Sequence, residues 1–267
     1  MDGGRRRVLV AAGAALLLAA VALLVVAAVD PGRQAASAGP SGDGETSSIR
    51  GASLLLRAVD PRDPTLNGRV LVIDHGGKRA PSGTGLACQR IHFAGGRGLC
   101  LGVAPSGVDF EATIFDAGLR PLRRLALTGI PSRARVSPDG RLGAMTVFVA
   151  GHEYLGGSGF STTTTIVDMR TGKQVAELEE FDVVRDGTRF KRPDFNFWGV
   201  TFARDPSRFY ATLRTGGHHY LVEGDLDARR MEVIRDGVEC PSLSPGGDRI
   251  AYKSRVDGTD RWRLRVL

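Results

Sequence analysis

Hydrophobic and polar positions divide this chain of 267 residues into three stretches. Residues 8–29 are an unbroken apolar run, residues 31–50 are rich in Gly, Ser, Ala and Pro with no apolar period, and the remainder is β-rich. There, runs such as VLVID (70–74) and TTTTIVDM (162–169) are dominated by β-branched residues and end at turn formers, which predicts strands. RTGK (170–173) predicts a hairpin turn, with QVAELE as the returning strand.

One unit recurs four times. An apolar residue leads into a tight turn, and the turn into a small or apolar pair. The four instances are Phe93 before AGGR (94–97), Val136 before SPDG (137–140), Phe202 before ARDP (203–206) and Leu243 before SPGG (244–247). A second mark, a β-rich strand closed by aspartate, occurs at Asp74, Asp116, Asp168 and Asp225. Turn-to-turn spacings are 43, 66 and 41 residues, so one unit carries a surplus. A β-rich repeat of about 42 residues predicts the blade of a propeller. SPDG suits such a turn: Pro presets φ, Asp closes a local hydrogen bond, and Gly takes a conformation other residues avoid.

The expected fold is therefore all-β, a propeller of four-stranded antiparallel blades preceded by one N-terminal transmembrane helix. A blade is expected to run from the strand closed by aspartate, through a turn, a second strand, a loop and a third strand, to the SPDG-type turn and a fourth strand. On that layout the chain holds about four complete blades. Two orphan strands remain, Leu54–Ala58 at the start and RLRVL (263–267) at the end. This leads to the expectation of a chain truncated from five or six blades, with a four-bladed protein with frayed ends as the alternative.

VSPDGRLGAMTV and LSPGGDRIAYKS, following strands that end in Asp, resemble the SPDG repeats of TolB-like propellers. FNFWGVTFA, RFYATL, TGGHHYLVEGD and DGVECPSLSP look like the actinobacterial, membrane-anchored TolB-like (WD-repeat-like) group. The resemblance covers roughly residues 50–267 and implies a protein-interaction role in the cell envelope.

Arg5, Arg6 and Arg7 precede the apolar run, which is long enough to span a bilayer. The expected organisation is a cytoplasmic basic N-terminus (1–7), a signal-anchor helix (8–29), a flexible linker (30–50) and an extracytoplasmic propeller (51–267). The alternative is a cleaved signal, since Ala36-Ser37-Ala38 offers a small-x-small site and export would follow cleavage after Ala38. The formal charge of +7 is spread along the chain without a block of five like charges, so nucleic acid is not an expected partner. Of three cysteines, Cys88 and Cys100 are candidates for a disulfide. Their predicted register offsets them by three residues, so the bridge requires the chain to fold back.

The surplus in the long unit splits into two insertions, 151–160 and 182–199. Strands alternate in direction within a blade, so both are expected to enlarge one face. Long loops in compact domains tend to be functional, and the candidate binding patch comprises His152, Tyr154, Arg189, Lys191, Phe195, Trp198 and His218. The bland alternative is that FNFWGVTF begins a strand and its aromatics are core. No cofactor and no metal site are expected. GGSGF (156–160) lacks the last glycine of a nucleophile elbow, and no Walker loop, HExxH or dinucleotide fingerprint occurs. The expected function is a non-catalytic binding or scaffold module for an envelope protein or polymer, tethered through residues 8–29. The rivals are a propeller enzyme or a hydrolase's regulatory propeller whose catalytic part is missing, and a non-functional fragment.

Overall fold

Between Ser53 and Val266 the computed structural model contains twenty described strands, arranged in five sheets. It describes residues 49, 53–60, 62–74, 82–149, 161–256, 259 and 261–267. All belong to one unit, Thr46–Leu267. The apolar run 8–29, the linker, and the candidate residues His152 and Tyr154 lie outside the described residues. Among those described, no helix is long and apolar enough to cross a membrane.

The first sheet holds β1 (Ser53–Arg57), β2 (Arg69–Asp74) and β3 (Ser82–Ala87). The second holds β4 (Arg90–Ala94), β5 (Arg97–Val103), β6 (Phe110–Asp116) and β7 (Pro121–Leu127). The third holds β8 (Ile130–Val136), β9 (Leu142–Val149), β10 (Ser161–Asp168) and β11 (Gln174–Glu177). A hairpin, β12 (Asp182–Arg185) and β13 (Thr188–Phe190), comes next. The fourth sheet is built on β14 (Asn196–Phe202), β15 (Arg208–Thr215), β16 (His218–Asp225) and β17 (Arg230–Asp236). The fifth has β18 (Glu239–Leu243), β19 (Ile250–Arg255) and β20 (Trp262–Val266).

The blade boundaries differ from the sequence expectation. The second to fifth sheets each begin with the strand before the SPDG-type turn, not with the strand closed by aspartate. The reason is that tight turns can only return a strand beside its predecessor. Thus SPDG joins β8 to β9, with Gly140 N–H donating to Ser137 O at 2.9 Å. Asp168 likewise closes the β10–β11 turn by accepting from the Arg170 and Thr171 N–H groups. The step to a new sheet falls after the strand that follows the aspartate. About four complete blades is corrected accordingly, to three sheets built on four consecutive strands flanked by two of three strands among the described residues.

A sheet of this size cannot cover both its faces, so each stacks on its neighbours. Val70, Val72, Phe115 and Leu119 fill the first seam; Leu99, Leu101, Ile114, Met145 and Met169 fill the second. Ile166, Leu178, Phe197, Phe202 and Phe209 fill the third, and Leu221, Val238, Ile250 and Tyr252 the fourth. The small or apolar pairs after each turn are core as expected: Leu99, Ala144, Phe209 and Ile250 are all buried. Gly140 sits at φ +74°, and a Cβ there would overlap the carbonyl of Gly95 in the neighbouring sheet's AGGR turn. These two turns therefore touch backbone to backbone, which only glycine permits.

Candidate functional site: an arginine-lined axial channel

Aligning the four units on their turns places equivalent residues at equivalent depths. One position before the apolar residue that leads into the turn stand His92, Arg135, Thr201 and Ser242. Three positions before it stand Arg90, Arg133, Gly199 and Cys240. These lie on β4, β8, β14 and β18, the first strands of their sheets, which pack side by side in that order. Together these strands line a cavity of about 270 Å³, with His92, Arg133, Arg135, Val200, Cys240 and Ser242 in its wall. Three of the four carry an irregularity in pairing, between Pro131 and Arg133, Trp198 and Thr201, and Glu239 and Ser242. Bulges of this kind re-aim side chains. Gly199 and Cys240, both at positive φ, mark equivalent bulges.

Arg135 stands in the cavity wall and reaches across to the neighbouring strands. Its Nε donates to Val200 O on β14 at 3.3 Å, its Nη2 to Ser242 Oγ on β18 at 3.2 Å, and its Nη1 meets His92 Nε2 on β4 at 3.1 Å. One guanidinium on β8 thus bonds to two of the other channel strands and packs against the third. The His92 Nδ1 accepts from the Val136 N–H at 3.0 Å, so a neutral ring carries its proton on Nε2, where it lies against the Arg135 guanidinium without a hydrogen bond. Burial, reinforced by the Arg135 charge, lowers the His92 pKa to about 4 and keeps the ring neutral at physiological pH. The contact to the next sheet recurs in the repeat, where Thr201 Oγ1 accepts from the Leu243 N–H at 3.1 Å.

Nearer the end at which sheet-to-sheet connections run, Arg133 stands in the cavity wall and Arg90 lies beside it, both donating to Ser132 O. Arg133 Nη1 donates to Ser132 O at 2.8 Å and its Nη2 to Cys240 Sγ at 3.6 Å. Arg90 donates to Ser132 O and Gln89 O, and Arg57 to Cys88 O. Burial and then the charges of Arg133 and Arg57 lower the Arg90 pKa. Among the described residues none of Arg57, Arg90, Arg133 and Arg135 has a carboxylate within 4.0 Å. Arginines elsewhere do: Arg120 meets Asp116 at 2.7 Å, Arg124 meets Glu111 at 3.1 Å and Arg229 meets Glu180 at 2.8 Å. Glu239, beside Cys240, is taken by Lys253 at 3.1 Å.

The described residues of the expected patch are brought together only in part: Phe195 is linked to His218 through Phe190 and Tyr220, at successive ring separations of 5.3, 6.0 and 6.4 Å. Trp198 is 5% exposed on β14 and Phe197 fully buried, so the strand-and-core alternative describes them. Phe195 is half-buried against Phe190 and Phe197, at ring separations of 5.3 and 5.9 Å. Arg189 pairs with Asp182 at 2.7 Å on the β12–β13 hairpin. That hairpin extends the outer edge of the fourth sheet through parallel pairing of β12 with β17, and does not form a loop on the propeller's face. Its apolar residue Val183 is buried in the third seam, which explains why the insertion lies along the sheet. Lys191 is exposed after it, and His218 is exposed on the β15–β16 hairpin. Cys88 and Cys100 are disulfide-bonded, with Cα atoms 5.4 Å apart. The predicted offset is present, since Ile91 pairs with Cys100, but the chain bends at Gln89 and brings Cys88 back.

Sequence reasoning missed Arg90, His92, Arg133, Arg135 and Ser242. The signal was in the repeat itself: aligned on the turns, the two positions that alternate ahead of them carry polar or cationic residues in most units, where a core strand would carry apolar ones.

No protein-family model and no curated protein matches the chain. Among solved structures it is similar to TolB from Acinetobacter baumannii, with a TM-score of 0.54 and 16% identity over 80% of this chain and 49% of that one. It is also similar to Kuenenia stuttgartiensis hydrazine synthase (TM-score 0.47, 16% identity, 75% and 64% covered) and to the Myceliophteria thermophila Cps50 (Swd1) β-propeller domain (TM-score 0.47, 12% identity, 73% and 64% covered). The chain thus spans about half the length of TolB and under two thirds of the other two. At these identities the likeness concerns the fold alone: the chain folds as a β-propeller like that of TolB.

Proposed function

We propose that this chain is a non-catalytic, extracytoplasmic binding module, tethered to the cell membrane through residues 8–29. It receives an envelope protein or polymer at the connection end of the propeller channel. The observation that supports this reading is Arg133 in the cavity wall with Arg90, from the neighbouring sheet, bound to the same Ser132 carbonyl, and no carboxylate within 4.0 Å of either among the described residues. Guanidinium groups hold partners through fixed hydrogen-bond donors and do not act as general bases. His92, the imidazole of the channel, has its Nδ1 taken by the Val136 N–H and its Nε2 held against Arg135. Such a wall is suited to gripping a ligand and poorly suited to moving protons on it. A propeller supplies the rigidity, because these residues sit on separate strands braced by four packed seams.

Fractionation and protease treatment of intact cells test the reading. The chain is expected in the membrane fraction, resistant to high-salt washing, with residues 51–267 cleaved by protease added outside. Recovery in the cytosol, protected from that protease, would contradict it.

A further inference from the structure

Arg133 and Arg90 specify what enters the channel. Each has already donated to backbone carbonyls or to Cys240, which fixes its position, and each retains N–H donors that these bonds do not use. Among the described residues these guanidinium groups have no carboxylate within 4.0 Å; holding them close together is costly, and the cost falls when an anion enters. The rest of the wall narrows the choice. Ala134, Ala144, Val200 and Pro241 face the same cavity, so it is mixed, cationic at Arg133 and largely apolar along its sides. At about 270 Å³ it accommodates a side chain or a chain end and excludes a folded segment. Phosphate groups are ordinarily met by several donors in a polar cradle. Two neighbouring forks beside alkyl surface fit a planar carboxylate on a short apolar stem.

We infer that the channel is a carboxylate-binding site, in which Arg133 and Arg90 grip a carboxylate carried on an apolar stem, as at the C-terminus of a peptide. Arg135 acts as the floor of this site: its bonds to Val200 and Ser242 and its packing against His92 keep the inserted group from passing through. Cys240 Sγ, held by Arg133, forms part of the wall. This assignment rests on the binding-module reading and names the chemistry of what that module holds.

The test uses the full-length protein in nonionic detergent and two probes, acetyl-Ala-Val with a free carboxylate and the same dipeptide as its amide, followed by calorimetry and saturation-transfer NMR. The free acid is expected to bind about 10–100-fold more tightly than the amide, the range for losing hydrogen bonds to a charged group. Arg133→Gln and Arg90→Gln, each checked for an unchanged melt, are expected to weaken the acid by a similar factor. Arg189→Gln, on the outer hairpin, should leave it unaltered. Equal binding of acid and amide, or no binding of either, would overturn the inference. Displacement of the acid by inorganic phosphate at lower concentration than by acetate would overturn the carboxylate assignment in favour of a phosphoryl group. If the probes fail while the external membrane location and rim crosslinking persist, the carboxylate inference falls and the binding-module reading stands.

Discussion

Arg135 on β8 donates a hydrogen bond to Ser242 on β18 at 3.2 Å, joining strands 107 residues apart in sequence across the propeller's axis. With its contacts to Val200 and His92, the same side chain links three neighbouring channel strands to its own. A lysine has one point of attachment and cannot reproduce this fork. Arg135→Met leaves Val200 O and Ser242 Oγ without their partner and is expected to destabilise the domain by roughly 2 kcal/mol. Arg135→Lys should recover less than half of the loss. The urea midpoint of the full-length protein in detergent checks both, and an unchanged midpoint in Arg135→Met would deny it a bracing role.

His92 sets one limb of the pH dependence. Its folded-state pKa of about 4 lies below the ordinary 6.5, so between those values the unfolded chain binds a proton that the folded protein refuses. Its contribution to stability is therefore complete above about pH 6.5 and is lost as pH falls toward 4, by an amount on the order of a few kcal/mol. His92→Gln should show a shallower loss over this window. NMR titration of the ring gives the pKa directly, and a midpoint near 6.5 would contradict the buried, donor-facing environment.

Glu179 sets the opposite limb. This carboxylate accepts from the Thr164 N–H at 3.0 Å, and burial raises its pKa to about 8. The folded state holds a proton that the unfolded chain loses near pH 4.5. Stability from this group is full below about 4.5 and is lost as pH rises through 8. Glu179→Gln keeps an acceptor for Thr164 and removes the titration, so its advantage over the parent should grow between pH 5 and 8.5. A difference in stability that is constant with pH would show that Glu179 titrates normally.

How much of this could be read beforehand differs by element. The repeat was legible because SPDG-type turns depend on local chemistry: Pro, Asp and Gly act within four residues. Where one sheet ends and the next begins was not legible, because the distinction between a hairpin and a crossing to the next sheet lies in long-range pairing. The aromatics of FNFWGVTF could not be assigned from sequence either. A strand buried on both faces and an exposed aromatic platform share the same composition, and Trp198 proved to belong to the former. Arg133 and Arg135 were read as part of a diffuse basic excess. Only the turn-based alignment reveals that they share their depth with Arg90 and His92, and no single unit carries that pattern alone.

The disulfide makes a separate prediction. Cys88 and Cys100 close a loop of 12 residues against Val70 and Phe115. Loop closure of that size stabilises by roughly 3 kcal/mol, so Cys88→Ala with Cys100→Ala should lower stability by about that amount. Thiol labelling of the unreduced, unfolded protein is expected to modify Cys240 alone, with Cys88 and Cys100 appearing after reduction. Labelling of all three before reduction would contradict the bridge.

The central claim, that partners are received at the cationic channel rim, is tested most directly by photocrosslinking in native membranes. Benzoylphenylalanine would replace Ile130, which is 55% exposed where β8 enters the channel, or Leu122, which is 39% exposed on the outer strand β7 near the opposite face. The account predicts a discrete adduct from position 130 that disappears with Arg133→Gln, and none from position 122. Adducts from position 122 alone, or an adduct at 130 indifferent to Arg133, would place the binding surface elsewhere.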